Sequence, residues 1–377
     1  MRFAPPQCRR LPFLRAGRDL RIWCAWRPRR LLLDKTLEAK FTAVDRRTHQ
    51  LLIKTSCDLS ASVTLLRFLR GFMWFRNLQI YRFPAPFKIS ASSLEEQLGR
   101  HAFRATTGYE MQTEGWASPR DDGGLVHSVN GQMLLSLCTE KKLLPASVIK
   151  EATKAKAIEA EEQQGYAPGR KQLREIKNQV TDELIPRAFS VRRRTGVWID
   201  PANGWLVIDA GSVGKSDAVM TLLFKSIDDL AVERLNTAMS AGAAMTAWLA
   251  GNEAPHAFSI DQDTELQSPV EEKATVRFMR HALDPKDVQR HIASGKQCTR
   301  LALTWAERVS FVLTESLIVK NIDPVDLIRD GEEAKSQNDD ERFDADFTLM
   351  TGELHHLMTD LVAALGGLEA ASASKNV

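Results

Sequence analysis

Four groups of residues have types and spacings that could do chemistry. Gly211-Ser212-Val213-Gly214-Lys215-Ser216 follows an apolar run and precedes a helical pattern, as a phosphate-cradling loop would. That loop needs a glycine at position 209, where Asp209 stands and would set a carboxylate near the phosphates. An ordinary strand-to-helix turn is therefore the preferred reading. Asp339, Asp340, Glu341, Asp344 and Asp346 could hold Mg²⁺ for phosphodiester cleavage. They fall in one contiguous polar run, whereas catalytic carboxylates converge from separate elements, so a solvated loop is expected. His355-His356 point about 100° apart on a helix and cannot easily share one metal. No HExxH occurs, no Ser/His/Asp or Cys/His arrangement stands out, and no cofactor or metal site is expected.

The fourth group is basic. Arg187, Arg192, Arg193 and Arg194 flank Phe189. Arg277, Arg280 and His281 lie close together, Lys286 and Arg290 follow on a predicted helix, and Lys296 and Arg300 come next. Arginine and lysine neutralise phosphates and release counterions, which gives affinity without reading sequence. Such clusters matter only if folding gathers them on one face. Otherwise they are solvated charges.

Local patterns supply the elements that must position these groups. Trp74–Phe83 is rich in β-formers and reads as a strand ended by Pro84 and Pro86. Ser93 and Glu96 form a capping box before a short helix running through Leu98 to about Phe103. Asn130-Gly131 separates two apolar runs within Gly124–Cys138, the pattern of a tight hairpin. From Pro145, Val148, Ala152, Ala155 and Ile158 recur at helical spacing; after the Gly165–Gly169 break, Leu173, Ile176, Val180 and Leu184 resume it. The stripe is narrow and the rest charged, so an antiparallel helical arm at 145–186 is expected to stand out from the core.

A second hairpin is expected from Val197–Asp200 and Trp205–Ala210 around Pro201-Ala202-Asn203-Gly204. Helices are predicted over Ser216–Leu230 and 238–250, and a strand over Thr275–Leu283. Asp284-Pro285 opens a helix to about Ser294. Thr299–Trp305 and Val309–Val319 read as strands, with Thr299, Leu301, Leu303 and Trp305 sharing a face. Asp330–Asp346 reads as an acidic loop. Phe347, Met350, Leu354, Leu357, Met358, Leu361 and Leu365 then form a long amphipathic helix ended by Gly366-Gly367, with a frayed tail over 368–377. Helices and hairpins mix without βαβ alternation, so the fold class is α+β with largely antiparallel sheets.

Composition divides the chain. Residues 1–72 carry 16 Lys and Arg against 5 Asp and Glu, a balance of +11; residues 73–377 carry 35 against 43, a balance of −8. The first part is Arg-rich, aperiodic, and holds three of the five cysteines. It is expected to be upstream sequence translated from an early start codon, with Met73 the working start. A basic nucleic-acid-binding arm or a targeting peptide are the alternatives. The five cysteines include no CxxC pair, which argues against a disulfide framework or zinc knuckle and for a reducing compartment. The longest charge-free stretch, Leu235–Asn252, is mostly small or polar residues and suits a buried helix better than lipid.

Several runs carry a family resemblance. They are Met-Trp-Phe-Arg-Asn-Leu at 73–78, EKKLLPASVIK at 140–150, IPRAFS at 185–190, and Trp198–Asp200 with Asn203-Gly204. KQCTRLALTW at 296–305 and RFDADFTLMTGEL at 342–354 complete the set. From Met73 to about Gly367 the chain resembles the bacterial recombination-associated RdgC family. The resemblance implies a ring-shaped homodimer that encloses double-stranded DNA with little sequence preference, with single-stranded DNA a second candidate ligand. It implies antagonism of the recombinase RecA by occupying DNA, a nucleoid-associated cytoplasmic location, and no enzymatic activity. By position, Arg187 and Phe189 fall at the arm base and Arg277, Arg280 and His281 in the segment implied to face the hole. The rival readings are an ATPase on the 211–216 turn, a nuclease on the 339–346 acids, or a partner that binds RecA directly.

Overall fold

The computed structural model describes residues 74–84, 86–120, 123–269, 274–279, 284–325 and 339–369. The expectations for residues 1–73, for Arg280 to Leu283, for the 330–338 part of the acidic loop and for 370–377 lie outside the described residues.

Two antiparallel sheets organise the chain, so the α+β class is correct. The first has the order β2-β4-β5-β6-β1-β7, with β3 pairing β4. Its strands are β1 (Gln79–Arg82), β2 (Gln112–Ala117), β3 (His127–Val129), β4 (Gln132–Lys142), β5 (Ser190–Asp200), β6 (Trp205–Ile208) and β7 (Glu233–Arg234). The second has the order β12-β11-β10-β8-β9. It comprises β8 (Phe258–Gln267), β9 (Thr275–Phe278), β10 (Gln297–Trp305), β11 (Val309–Thr314) and β12 (Val319–Pro324). Leu78 and Val319 exchange backbone hydrogen bonds of 2.8 and 3.1 Å and link the two sheets.

The helices are α1 (Ala91–Gly99), α2 (Ala146–Gln164), α3 (Arg170–Leu184), α4 (Val213–Ser226), α5 (Ala241–Gly251), α6 (Pro285–Ala293) and α7 (Asp339–Ala364). β6 shows why the first sheet must be covered on both faces. All four of its residues are buried. Trp205 and Val207 join a core with Leu301, Leu303, Phe311 and the α7 residues Phe347, Met350, Leu354, Leu357, Met358 and Leu361. Leu206 and Ile208 join a second core with Leu94, Leu98, Val219 and Leu223 of α1 and α4. A strand buried on both faces needs a continuous apolar run, not alternation.

Local chemistry explains the elements foreseen from sequence. Asn130 (φ 52°) and Gly131 (φ 79°) both take the left-handed conformation that the β3–β4 turn demands. Asp284 caps α6, its carboxylate accepting from Lys286 N at 3.0 Å. α2 and α3 touch through Lys156 Nζ and Glu183 (2.6 Å) and through Gln172 Nε2 and Gln164 Oε1 (2.8 Å). No residue of α2 is buried and α3 buries only Val180.

Several boundaries differ. The strand expected at Trp74–Phe83 is confined to Gln79–Arg82. The cap of α1 is Ser90, whose Oγ accepts from Ser93 N, so the helix begins and ends earlier than the Ser93–Glu96 pair suggested. The single strand expected over Val309–Val319 is two strands joined by a turn through Leu317 (φ 57°). Asp339 to Asp346 are helical, forming the start of α7. Asp339, Asp340 and Glu341 occupy its first turn, where carboxylates complement the positive end of the helix dipole. The tail expected to fray from 368 is tied at its start: Leu368 bridges Thr237, and Glu369 N donates to Asn236 O at 3.2 Å.

Candidate nucleic-acid interface

β5 is one strand in two environments. Residues 197–200 are buried, whereas 190–194 are exposed. Period-two alternation sends Ser190, Arg192 and Arg194 to one face and Val191 and Arg193 to the other. The three consecutive arginines are thereby split, and only two of them share a face.

Across the ladder, Arg192 stands opposite Glu140 and Arg194 opposite Cys138. Glu140 is 4% exposed. Its carboxylate accepts from Thr106 N at 2.7 Å, Ser190 Oγ at 2.9 Å and Arg192 Nε at 3.2 Å. The Thr106 backbone bond, then Ser190, and to a smaller extent Arg192 lower its pKa to about 2. The Arg192 guanidinium carbon also lies 5.5 Å from the Phe103 ring centroid. Phe103 reaches this face because residues 101–103 run along β2, with Phe103 N donating to Trp116 O at 2.7 Å. Gly115 permits that approach, since a Cβ there would sit 2.5 Å from Phe103 Cα. Burial pushes the Cys138 thiol pKa up, against the opposing pull of Arg194 and Arg192.

Arg187 is exposed in a 3₁₀ turn at Ile185–Arg187. Phe189 follows with its backbone fixed, its carbonyl accepting from Leu143 N at 2.7 Å, yet its side chain is 84% exposed. Tyr109, Met111, Leu143 and Val191, in the same strand ends and the loop before β2, are exposed too. That much apolar side chain in water at one end of a sheet is a mark of a contact surface.

The other basic residues lie on the second sheet. Arg277 Nε donates to Glu265 Oε2 at 2.8 Å across the β8–β9 ladder. Arg300, exposed on β10, stands opposite Glu265 on the other side. Two arginines thus flank one glutamate in a row across three strands. Lys296 Nζ lies 3.2 Å from Ser294 Oγ in the turn after α6, and Arg290 pairs with Asp287 at 2.8 Å. The structure therefore brings Arg192 and Arg194 together and aligns Arg277 with Arg300, but places the two pairs on different sheets. Arg280 and His281 lie outside the described residues.

Glu140, Glu265 and Phe103, which organise these arginines, escaped the sequence reading. The strand alternation of β4 was a usable signal for Glu140, an acid on the face shared with Leu134. Nothing local marks Phe103.

The other candidate groups are committed elsewhere. Ser216 is fully buried, and its Oγ donates to Gln79 Oε1 (2.7 Å) and lies 2.9 Å from Val213 O. Asp209 accepts from Asn77 N at 2.9 Å, and burial raises its pKa. Arg120 Nη1 meets Asp340 at 3.3 Å and Asp344 at 3.9 Å, and His127 Nε2 approaches Asp344 Oδ1 to 3.0 Å. His355 Nδ1 lies 3.8 Å from Asp200, while His356 is exposed. Among the described residues no three His, Cys, Asp or Glu side chains gather as a metal cluster would require. No helix among them is long and apolar enough to cross a membrane.

Comparison with known proteins identifies the fold's relatives. A family model described as "Putative exonuclease, RdgC" matches residues 73–368. The chain belongs to the RdgC family. The recombination-associated protein RdgC of Janthinobacterium sp. (strain Marseille) is 60% identical over 295 residues, covering 78% of this chain and 98% of that protein. Its namesake from Cupriavidus necator is 59% identical over 295 residues, covering 78% and 99%. That from Bordetella pertussis is 57% identical over 295 residues, again covering 78% and 99%. The family match begins just after the basic first 72 residues.

Proposed function

We propose that this RdgC-family chain binds duplex DNA without sequence preference, encircles it as a homodimer, and restrains RecA-dependent recombination by occupying DNA. The observation that carries the reading is the exposed first half of β5, where Arg192, Arg193 and Arg194 project from an ordered strand beside Arg187. Arginines on a fixed backbone suit phosphate contact, and nothing around them requires a base edge to be read. The recombination association printed for the relatives supports the same direction.

Homodimer formation rests on Phe189. Its exposed ring and the neighbouring Tyr109, Leu143 and Val191 form the surface a second subunit would cover, with the helices at 145–186 extending the contact as an arm. A two-fold interface repeats each basic cluster once per subunit and doubles the phosphate contacts. In this reading the protein needs no cofactor and catalyses no reaction. Single-stranded DNA would meet the same arginines, and a nucleoid-associated location follows from DNA occupancy.

The test is a salt titration of the full chain on unrelated duplexes by fluorescence anisotropy. Sequence-indifferent binding should weaken linearly on a log–log plot, with a slope of about −0.9 for each phosphate contacted. Metal-dependent degradation of DNA by pure protein would overturn the non-enzymatic reading. Capture of RecA without DNA would replace occupancy by direct contact.

A further inference from the structure

The arginines of β5 have been treated as a set, but Arg192 differs in how it is held. Its Nε–H is given to Glu140, its guanidinium lies near the Phe103 ring, and yet its side chain is 59% exposed. Among the described residues no partner takes its four remaining N–H donors. The root of the fork is anchored and the prongs are left to solvent.

Glu140 is also the point where three segments meet. One carboxylate oxygen accepts from Ser190 at the start of β5 and from Arg192; the other accepts from Thr106 N in the loop that carries Phe103. A single buried carboxylate therefore fixes the strand, the guanidinium and the aromatic support beside it. An acid in a basic surface ought to repel DNA, so its presence there calls for an offsetting role.

We infer that Glu140 is a positioning residue for DNA binding: it holds the Arg192 fork with its outer N–H groups presented to a backbone phosphate. The inference rests on the DNA-binding reading above. Pre-ordering a long side chain removes the conformational cost of fixing it when DNA arrives. The bidentate fork is a property of arginine, which lysine cannot reproduce from the same anchor.

The idea has a distinguishing sign. Glu140→Gln removes a negative charge beside the DNA surface, so simple electrostatics predicts tighter binding. Positioning predicts weaker binding. The amide has one acceptor oxygen where the carboxylate has two. It must release either Thr106 N–H or the Ser190–Arg192 pair, and both losses disturb the fork.

The experiment compares the full chain with Glu140→Gln and Arg192→Lys in the same salt titration. Folding is checked by a cooperative thermal transition. Glu140→Gln should lose about one phosphate contact per subunit, two per dimer, seen as a slope shallower by about 1.8 and an affinity about 60-fold lower at 0.1 M salt; Arg192→Lys, which keeps the charge, should weaken binding with a smaller change of slope. Unchanged or tighter binding by folded Glu140→Gln overturns the inference. If that variant fails to fold, Arg192→Lys decides: it retains the charge and the intact Glu140, and wild-type affinity would overturn the role of the fork. Hydrogen-exchange protection of the Arg192 Nε–H, read by NMR without DNA, reports the anchor separately. A wild type that shows this protection but binds no duplex refutes the DNA-binding reading instead. One that binds duplex without the protection refutes the positioning role alone.

Discussion

The two sheets each carry two arginines around one glutamate, and they do so differently. On the first, Glu140 is buried and anchored by a backbone N–H and a hydroxyl before Arg192 reaches it. On the second, Glu265 sits between Arg277 and Arg300 at the outward side of a bulged ladder, with Thr299 Oγ1 3.3 Å from its carboxylate. The first arrangement has further cations beside it: Arg193 and Lys141 on the opposite face, and Lys142 on the same face. The second row has acids beside it instead: Asp261 and Asp263 precede Glu265 on β8. The same residue types therefore give a rigid, strongly basic strand end in one place and a largely self-neutralised row in the other.

The largest expected effect separates these two. Arg192→Gln with Arg194→Gln should remove two contacts per subunit, four per dimer, an affinity loss of about 4,000-fold at 0.1 M salt, with the slope shallower by about 3.6. Arg277→Gln with Arg300→Gln should cost less, about one contact per subunit or roughly 60-fold for the dimer, because Asp261, Asp263 and Glu265 of β8 offset part of their charge. Equal losses in the anisotropy titration would show that the second sheet contributes as much as the first.

Phe189→Ser tests the apolar part of the same strand end. An exposed aromatic anchor at a subunit contact is worth about 2 kcal/mol or more, so the dimer dissociation constant should rise about 30-fold. Sedimentation equilibrium reads this directly. An unchanged constant would remove Phe189 from the interface.

Gly115→Val should unseat residues 101–103, and with them Phe103, by forcing a side chain into Phe103 backbone. A loss of about 1–3 kcal/mol of stability in urea unfolding is expected. It should be accompanied by weaker DNA binding through the first sheet, with the Arg277–Arg300 row left to supply what remains. A stable, fully binding variant would show that the Phe103 support is dispensable.

The smallest effects are those of pH. Burial, reinforced by Arg120 and opposed by Asp344, lowers the pKa of His127, which packs edge-on to Phe343 and Phe347. A folded pKa below the unfolded one means that the neutral ring stabilises the fold above about pH 6.5 and that this contribution fades as pH falls below it. His127→Gln should flatten that limb of the urea-unfolding profile between pH 7 and 5. Glu140, with a pKa of about 2, stabilises the fold above its unfolded pKa of about 4.3 and loses that contribution as pH falls toward 2. Glu140→Gln should flatten the lower limb. A profile unaffected by either variant would place the acid sensitivity elsewhere.

How far the sequence could be read depended on how local the cause was. The Asn130-Gly131 turn, the Asp284-Pro285 start of α6 and the apolar stripe of α7 were legible because each is decided by residues within a few positions. β8 was not. Its buried residues Phe258, Thr264 and Leu266 are sparse, and register shifts opposite Cys298–Arg300 and Leu301–Leu303 break the alternation that would reveal it. The acids of 339–346 looked like a loop because their polarity hid the start of a helix that the Phe343, Phe347 and Met350 spacing continues. The basic residues were visible as a list, but not as a surface.

The sequence by itself determined the family, the α+β class, the main turns and helices, and which residues were basic enough to meet phosphate. Those properties depend on residue type and short-range spacing. Only the tertiary structure decided that Arg192 is anchored and Arg193 faces the other way. It alone placed Arg277 and Arg300 on either side of Glu265, and Phe103 beside Arg192. Strand register and the crossing of a distant loop over β2 set these relations, and both are fixed by the packing of the whole chain rather than by neighbours in sequence.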